Sequence, residues 1–286
     1  MTVTWRCRMI SSVSAQRHQI QVMQPTFFIN HGGGPCFFLE PGPMREAWSD
    51  LETHLLGFEA ALDAKPSAIL VVSGHWDEAV PTVNSAAAPE LLFDYSGFPP
   101  HTYELQWNAP GAPALAATVR RLLQDQGISS GETSRRGWDH GVFVPLKVAF
   151  PSAEIPTLQL SMQTDQNPAA HLAIGRALTP LRRENVLILG SGQTYHNMRG
   201  FRGAPGGADA GAEAFDAWLR TAMTNGDTRD DALIGWATAP GARDAQPHED
   251  HLLPLMVAAG AASGEPGRVV FHGRGFGKPL SGFRFG

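Results

Sequence analysis

The chain has 286 residues, 43% of them hydrophobic and 17% charged, with a formal net charge of −5. These values describe a folded chain long enough to bury a large core, and they exclude a disordered segment and a general pull toward nucleic acid, because no dense Lys/Arg cluster forms a basic stripe. No apolar run approaches the ~20 residues that a membrane-spanning helix needs, so a soluble protein with neither nucleic-acid nor membrane partners is expected.

Two cysteines, Cys7 and Cys36, cannot make a disulfide framework, which fits a reducing compartment and a cytoplasmic location. Residues 1–22 carry Arg6, Arg8 and Arg17 with serines and no acidic residue, a loosely transit-peptide-like composition that is too poor in apolar residues for a secretory signal. They read as a non-catalytic N-terminal extension in which His18 carries no chemistry. Residues 23–286 then form one domain.

Within that domain, residues 26–30 are a short apolar strand running into His31 and the triplet Gly32-Gly33-Gly34. The loop matches no phosphate-binding pattern, since it has neither G-x-G-x-x-G nor a terminal Lys-Ser/Thr. Cys36 just beyond it reads as a packed small hydrophobe in preference to a nucleophile, because thiol reactivity needs an electropositive setting. The spacing of Trp48, Leu51, Leu55, Phe58 and Leu62 predicts a helix over 43–64, with His54 as a surface or satisfied histidine.

Residues 68–72 are too few for a helix and rich in β-branched side chains, so they predict a strand buried on both faces that delivers His75 through Ser73-Gly74. A strand-like piece follows at 81–83, then an aromatic, Pro/Gly-punctuated loop at 93–100. Tyr95, Phe98, His101 and Tyr103 could wall a pocket for a flat ligand there, ordinary loop packing being the alternative. Residues 113–126 read as an amphipathic helix. Gly137 to Gly141 read as a constrained turn before a short apolar helix at 142–150, with His140 hemmed in by Trp138, Asp139 and Gly141. A buried strand at 155–162, a helix at 167–183 and a strand at 186–189 come next. The last of these leads through Gly190-Ser191-Gly192 toward His196.

The Gly/Ala/Pro-rich run 203–211 separates this sheet from a helix at 213–223. A further helix is predicted to open at Gln246 and run toward Gly260, with acidic residues in its first turn and with His248 and His251 on one face. A strand at 268–271, followed by His272, and a Gly/Phe-rich tail close the chain. The alternation of buried strands and helices predicts an α/β domain with a mixed or mostly parallel central sheet flanked by helices. In such sheets ligands sit beyond the carboxyl ends of the strands, where His31, His75 and His196 converge. Several imidazoles at that edge suit a transition metal such as zinc, iron, copper or nickel.

Six motifs then occur in one order: N-H-G-G-G-P at 30–35, S-G-H-W at 73–76, G-F-P at 97–99, G-W-D-H-G at 137–141, Y-H-N at 195–197 and E-D-H-L-L-P-L at 249–255. Together they resemble the class III extradiol ring-cleavage dioxygenases of the LigB superfamily, in the 4,5-DOPA extradiol dioxygenase-like branch. The resemblance implies a LigB-like single catalytic domain that opens a catechol-type ring with O2 to a semialdehyde. It also implies metal ligation by His31, His75 and His251, with His196 as acid/base and possible fourth ligand, and His140 as a further catalytic histidine. Fe(II) would be the working metal and Zn(II) a possible occupant of the same ligands.

Asp77 and Glu249 would orient ligands, and Tyr95, Phe98 and His101 would contact substrate. One departure is Gln246-Pro247, where relatives commonly have His-Pro, and this leaves His248 as a rival to His251. Two other readings stay open, a zinc hydrolase on the same imidazoles and a non-enzymatic Memo-like binding protein. The particular catechol, the ring bond and a homo-oligomeric state are left undetermined.

Overall fold

A computed structural model of the chain describes residues 23–201 and 209–286. The expected extension 1–22 lies outside the described residues, as does most of the Gly/Ala/Pro-rich run. Eight strands form one sheet: β1 (Thr26–Asn30), β2 (Ala68–Glu78), β3 (Thr82–Asn84), β4 (Gly131–Thr133), β5 (Thr157–Gln163), β6 (Val186–Gly192), β7 (Gly267–Gly275) and β8 (Lys278–Phe285). Their order is β4-β3-β5-β2-β6-β1-β8-β7. The central four, β5-β2-β6-β1, are parallel, whereas β3 joins β5 and β8 joins β1 antiparallel. The sheet is therefore mixed, and its parallel centre brings the ends of β1, β2 and β6 to one edge.

Side-chain alternation sends the two faces of β6 to different helices. Ser191 donates its hydroxyl to the carbonyl of Gly141 in the helix His140–Ala149. Gly190 instead faces Pro254 in the helix Leu253–Ala261, and Gly192 faces His251 just before it. Both β1 and β6 are buried along their whole length, which is why they read as continuous apolar runs.

Four expectations differ most from the structure, besides the helix expected over 167–183, which ends at Leu178 and passes into the 3-10 turn Thr179–Glu184. The helix predicted over 43–64 breaks into Pro43–Glu46, Ser49–Leu56 and a 3-10 turn Glu59–Ala61. Trp48 leaves the helical region at φ −116° and ψ 9°, which turns its buried indole inward, and Gly57 ends the middle piece. The strand predicted at 68–72 extends to Glu78, so His75 sits inside β2 at a register shift between Val72 and Asp77, not beyond a strand end.

The helix predicted from Gln246 begins at Leu253; Gln246 caps the short helix Ala242–Ala245, and residues 247–252 form bends and turns. Pro254 in its first turn has no N–H to leave unsatisfied and favours that start. His248 and His251 therefore share no helical face, and the acidic residues precede the helix. The Gly/Phe-rich tail is strand β8, where Phe283 and Phe285 are fully buried against β1 and β7.

Away from the sheet edge, His171 is buried in the helix Pro168–Leu178. Its Nδ1–H donates to Asn167 O at 2.7 Å, and its Nε2 accepts from the Gln163 N–H at 3.1 Å. Burial lowers its pKa, so below about 6.5 the unfolded chain takes up a proton that the folded chain resists. Stability is expected to fall as pH drops through that value. Thermal unfolding between pH 7.5 and 5.5 checks this, with a shallower fall in His171→Gln.

Candidate metal centre

β1 ends at Asn30, and the next residue, His31, is buried with its backbone N–H bonded to Gly192 O at 3.1 Å. The ring Nδ1 of His31 lies 2.8 Å from Gly32 O. A carbonyl can only accept, so Nδ1 carries the hydrogen and Nε2 keeps its lone pair. That Nε2 lies 3.3 Å from His75 Nε2, which lies 3.2 Å from His251 Nε2. The outer nitrogens of His251 and His75 lie 3.2 Å from Asp250 Oδ2 and 3.8 Å from Asp94 Oδ2. The first is close enough for electrostatic pairing, although it lacks hydrogen-bond alignment.

Three imidazole nitrogens thus point at one another from remote parts of the chain. Burial first, and neighbouring imidazoles second, push the pKa values of His31, His75 and His251 well below the usual range. Neutral rings with facing lone pairs repel unless a cation lies between them. Separations of 3.2–3.3 Å suit nitrogens that each sit about 2.0–2.1 Å from one shared ion. The ligand atoms of these three residues do form a cluster compatible with one metal ion, and neutral imidazole is the form that binds it. The residues present fit a mononuclear metal.

The segment bearing His251 reaches this point because β6 ends in glycine. A Cβ on Gly192 would collide with the His251 carbonyl oxygen, and one on Gly141 would collide with the Ser73 hydroxyl beside His75. Gly192→Ala is therefore expected to displace His251 and weaken metal binding at least about tenfold, read by metal titration with circular dichroism as the control for folding.

Two more histidines flank the cluster. His140 opens its helix 3.9 Å, ring to ring, from His75. Its Nδ1–H and its backbone N–H both donate to Asp94 Oδ1, at 2.8 and 2.9 Å, which leaves Nε2 as the free acceptor. His196 stacks on His251 with centroids 3.3 Å apart and 14° between planes. Burial and the nearby His140 lower its pKa to about 4, so at neutral pH it is a proton acceptor and not the half-protonated group expected of a histidine poised near pH 7.

The structure redistributes several expected roles. Exposed His248 stays outside the cluster that His251 joins. Asp77 is exposed and Glu249 pairs with Arg243 at 2.6 Å, so neither orients an imidazole; Asp94 and Asp250 stand beside the rings instead. Asp139 serves the scaffold, accepting from Ser73 Oγ at 2.7 Å and Arg136 Nη2 at 3.0 Å. Tyr95 and Phe98 line the cavity over the histidines. His101 does not, and its exposed ring instead meets Phe38 O at 3.0 Å. His54 packs on Phe271, and His272 lies within β7 beside Asp216. Cys36 is buried, with its thiol pKa raised by that burial, which suits a packed hydrophobe.

The cavity has a volume of about 380 Å³. Sequence reasoning missed the contributions of Trp48, Phe276 and Gln193 to its lining. The Gln193 Nε2 donates to Gly32 O at 3.1 Å, and its buried Oε1 has no partner. Only its place next to the Gly-Ser-Gly strand end could have drawn attention to it.

Residues 25–280 match the family model described as the catalytic LigB subunit of aromatic ring-opening dioxygenase. The chain is 37% identical over 254 residues to a 4,5-DOPA dioxygenase extradiol of Beta vulgaris, covering 87% of this chain and 91% of that protein. It is 37% identical over 258 residues to a dioxygenase of Hapsidospora irregularis, with 85% and 79% covered. A crystal structure of an uncharacterized Escherichia coli K12 protein superimposes with a TM-score of 0.72 at 28% identity, covering 92% of this chain and all of the other. Mixed sheet, imidazole cluster and these likenesses define a metal-dependent oxidoreductase of the dioxygenase class. Within that class the chain belongs to the LigB family, in the branch that holds the 4,5-DOPA extradiol dioxygenases. Among the described residues, no helix is long and apolar enough to cross a membrane.

Proposed function

We propose that this protein opens the ring of a catechol beside its two hydroxyls, using O2 and an iron(II) ion held by His31, His75 and His251. The observation that carries the reading is the convergence of three Nε2 atoms on one point, each ring neutral by burial. His31, His75 and His251 would hold the iron(II), which would supply binding and activation of the catechol oxygens and O2. Everything else falls to the chain's own groups.

His196, neutral at working pH and stacked on His251, accepts the proton that a catechol hydroxyl gives up on binding. His140 presents Nε2 toward the same cavity because Asp94 holds its Nδ1–H. Trp48, Phe98 and Phe201 wall the cavity with apolar surface, which excludes water and strengthens each polar contact inside. Asp94→Ala is expected to release the His140 ring and lower turnover by about 10–100-fold, with iron content holding up better than kcat.

Zinc competes for the same imidazoles, because affinity alone separates these metals poorly. The test is anaerobic loading with Fe(II) or Zn(II), then exposure to air with DOPA, caffeate, protocatechuate and simple catechols. O2 uptake with a yellow ring-opened product is expected for iron alone. Absence of both across the whole panel would refute ring opening, and no observation here favours a hydrolase or a purely binding role.

A further inference from the structure

We infer that the cavity selects a catechol whose ring substituent is uncharged and apolar, in preference to a zwitterionic amino-acid catechol such as DOPA. The inference rests on the ring-opening reading above and concerns the part of the cavity away from the imidazoles. That part is built from Met44, Trp48, Phe98, Met198, Phe201 and Phe276. Trp48, Phe201 and Phe276 touch one another, with centroids 5.7 to 6.1 Å apart. They form a continuous aromatic wall.

Size and polarity point the same way. A cavity of about 150 Å³ is enough for a benzene ring, so 380 Å³ holds the ring with its two hydroxyls and O2 and still leaves space for a substituent. Histidines aside, the side chains with polar atoms among the described lining residues are Tyr95, Gln193 and Trp48, the last with a single indole N–H. The Tyr95 hydroxyl is spent on Thr102 O at 2.6 Å, and the Gln193 amide N–H on Gly32 O. An ammonium could rest on the face of Trp48, yet the carboxylate beside it would meet no cationic partner among the described lining residues and would exchange water for apolar wall wherever it is covered.

The methionines add a positive argument. Met44 and Met198 line the cavity while remaining 52% and 50% exposed, large apolar surface left in water in the free protein. An alkyl substituent would cover that surface and be covered by it, a gain that scales with buried apolar area. Methionine is unbranched and flexible, so it can close over substituents of different shape.

Tryptophan fluorescence quenching tests this without turnover, with Trp48→Phe identifying the signal that comes from the cavity. Under anaerobic conditions the iron-loaded protein is titrated with 4-propylcatechol and with L-DOPA; the metal-free protein is titrated with 4-propylphenol and with tyrosine. The propyl compound is expected to bind at least about tenfold more tightly in both pairs. Met198→Arg is expected to narrow the gap severalfold by offering the carboxylate a partner. Equal or tighter binding of the amino acids, or no cavity signal from either propyl compound, overturns the inference. Tight propylcatechol binding with no O2 consumption by any catechol sinks the ring-opening reading and leaves the preference standing. Brisk turnover of tightly bound DOPA does the reverse.

Discussion

Replacing His75 by alanine is expected to leave a folded protein that holds little metal and loses ring opening by on the order of a thousandfold or more. His75 is the middle member of the cluster, with its Nε2 3.3 Å from that of His31 and 3.2 Å from that of His251. Without it the remaining two ligands cannot clamp the ion against release. The same contacts are repulsive when no cation separates them, since all three rings are neutral with lone pairs turned inward. Metal-free His75→Ala should therefore melt no lower than metal-free wild type, while the rise in Tm on adding iron should vanish. Elemental analysis, O2 uptake and two melting curves check the set. His248→Ala, exposed and outside the cluster, should keep both metal and activity.

His196→Ala is expected to lower kcat by about 10²–10⁴-fold while the protein keeps most of its iron. The side chain lies flat on His251, and its nitrogens are not part of the three-residue cluster of His31, His75 and His251. With a pKa lowered to about 4 by burial and by His140, it is unprotonated at neutral pH, the form a general base must have. Loss of a base should fall on turnover; loss of a ligand should fall on metal content. An empty centre in His196→Ala would assign the ring to metal binding. Single-turnover kinetics beside elemental analysis separates these results. The outcome also bears on Asp250, which groups with His196 and His251 in a second cluster of metal-compatible atoms.

Much of this was readable before the fold was known. The apolar runs of β1, β2 and β6 mark strands by length and branching, and each is followed closely by a histidine and small residues. Parallel neighbours with helical crossovers put such ends at one edge, so His31 and His75 could be paired in advance. Over 43–64 the helical periodicity is genuine while the continuity is not: Trp48 and Gly57 break the backbone, and the break turns an indole toward the cavity. The stretch 246–252 carries a proline and acidic residues of the kind that often open a helix, but here they stand in the turns before one.

Sequence by itself determined the class of fold, the histidines that could bind a metal and the glycines that leave space beside them, because each of these is written in local order and spacing. Only tertiary structure put His251, and not His248, among the clustered imidazoles, stood Asp94 and Asp250 beside the rings, and brought Trp48 and Phe276 to one cavity wall. Local periodicity reports which way a side chain leaves its own backbone. It says nothing of which distant segment will be waiting there, and His75 meets His251 across 176 residues of chain.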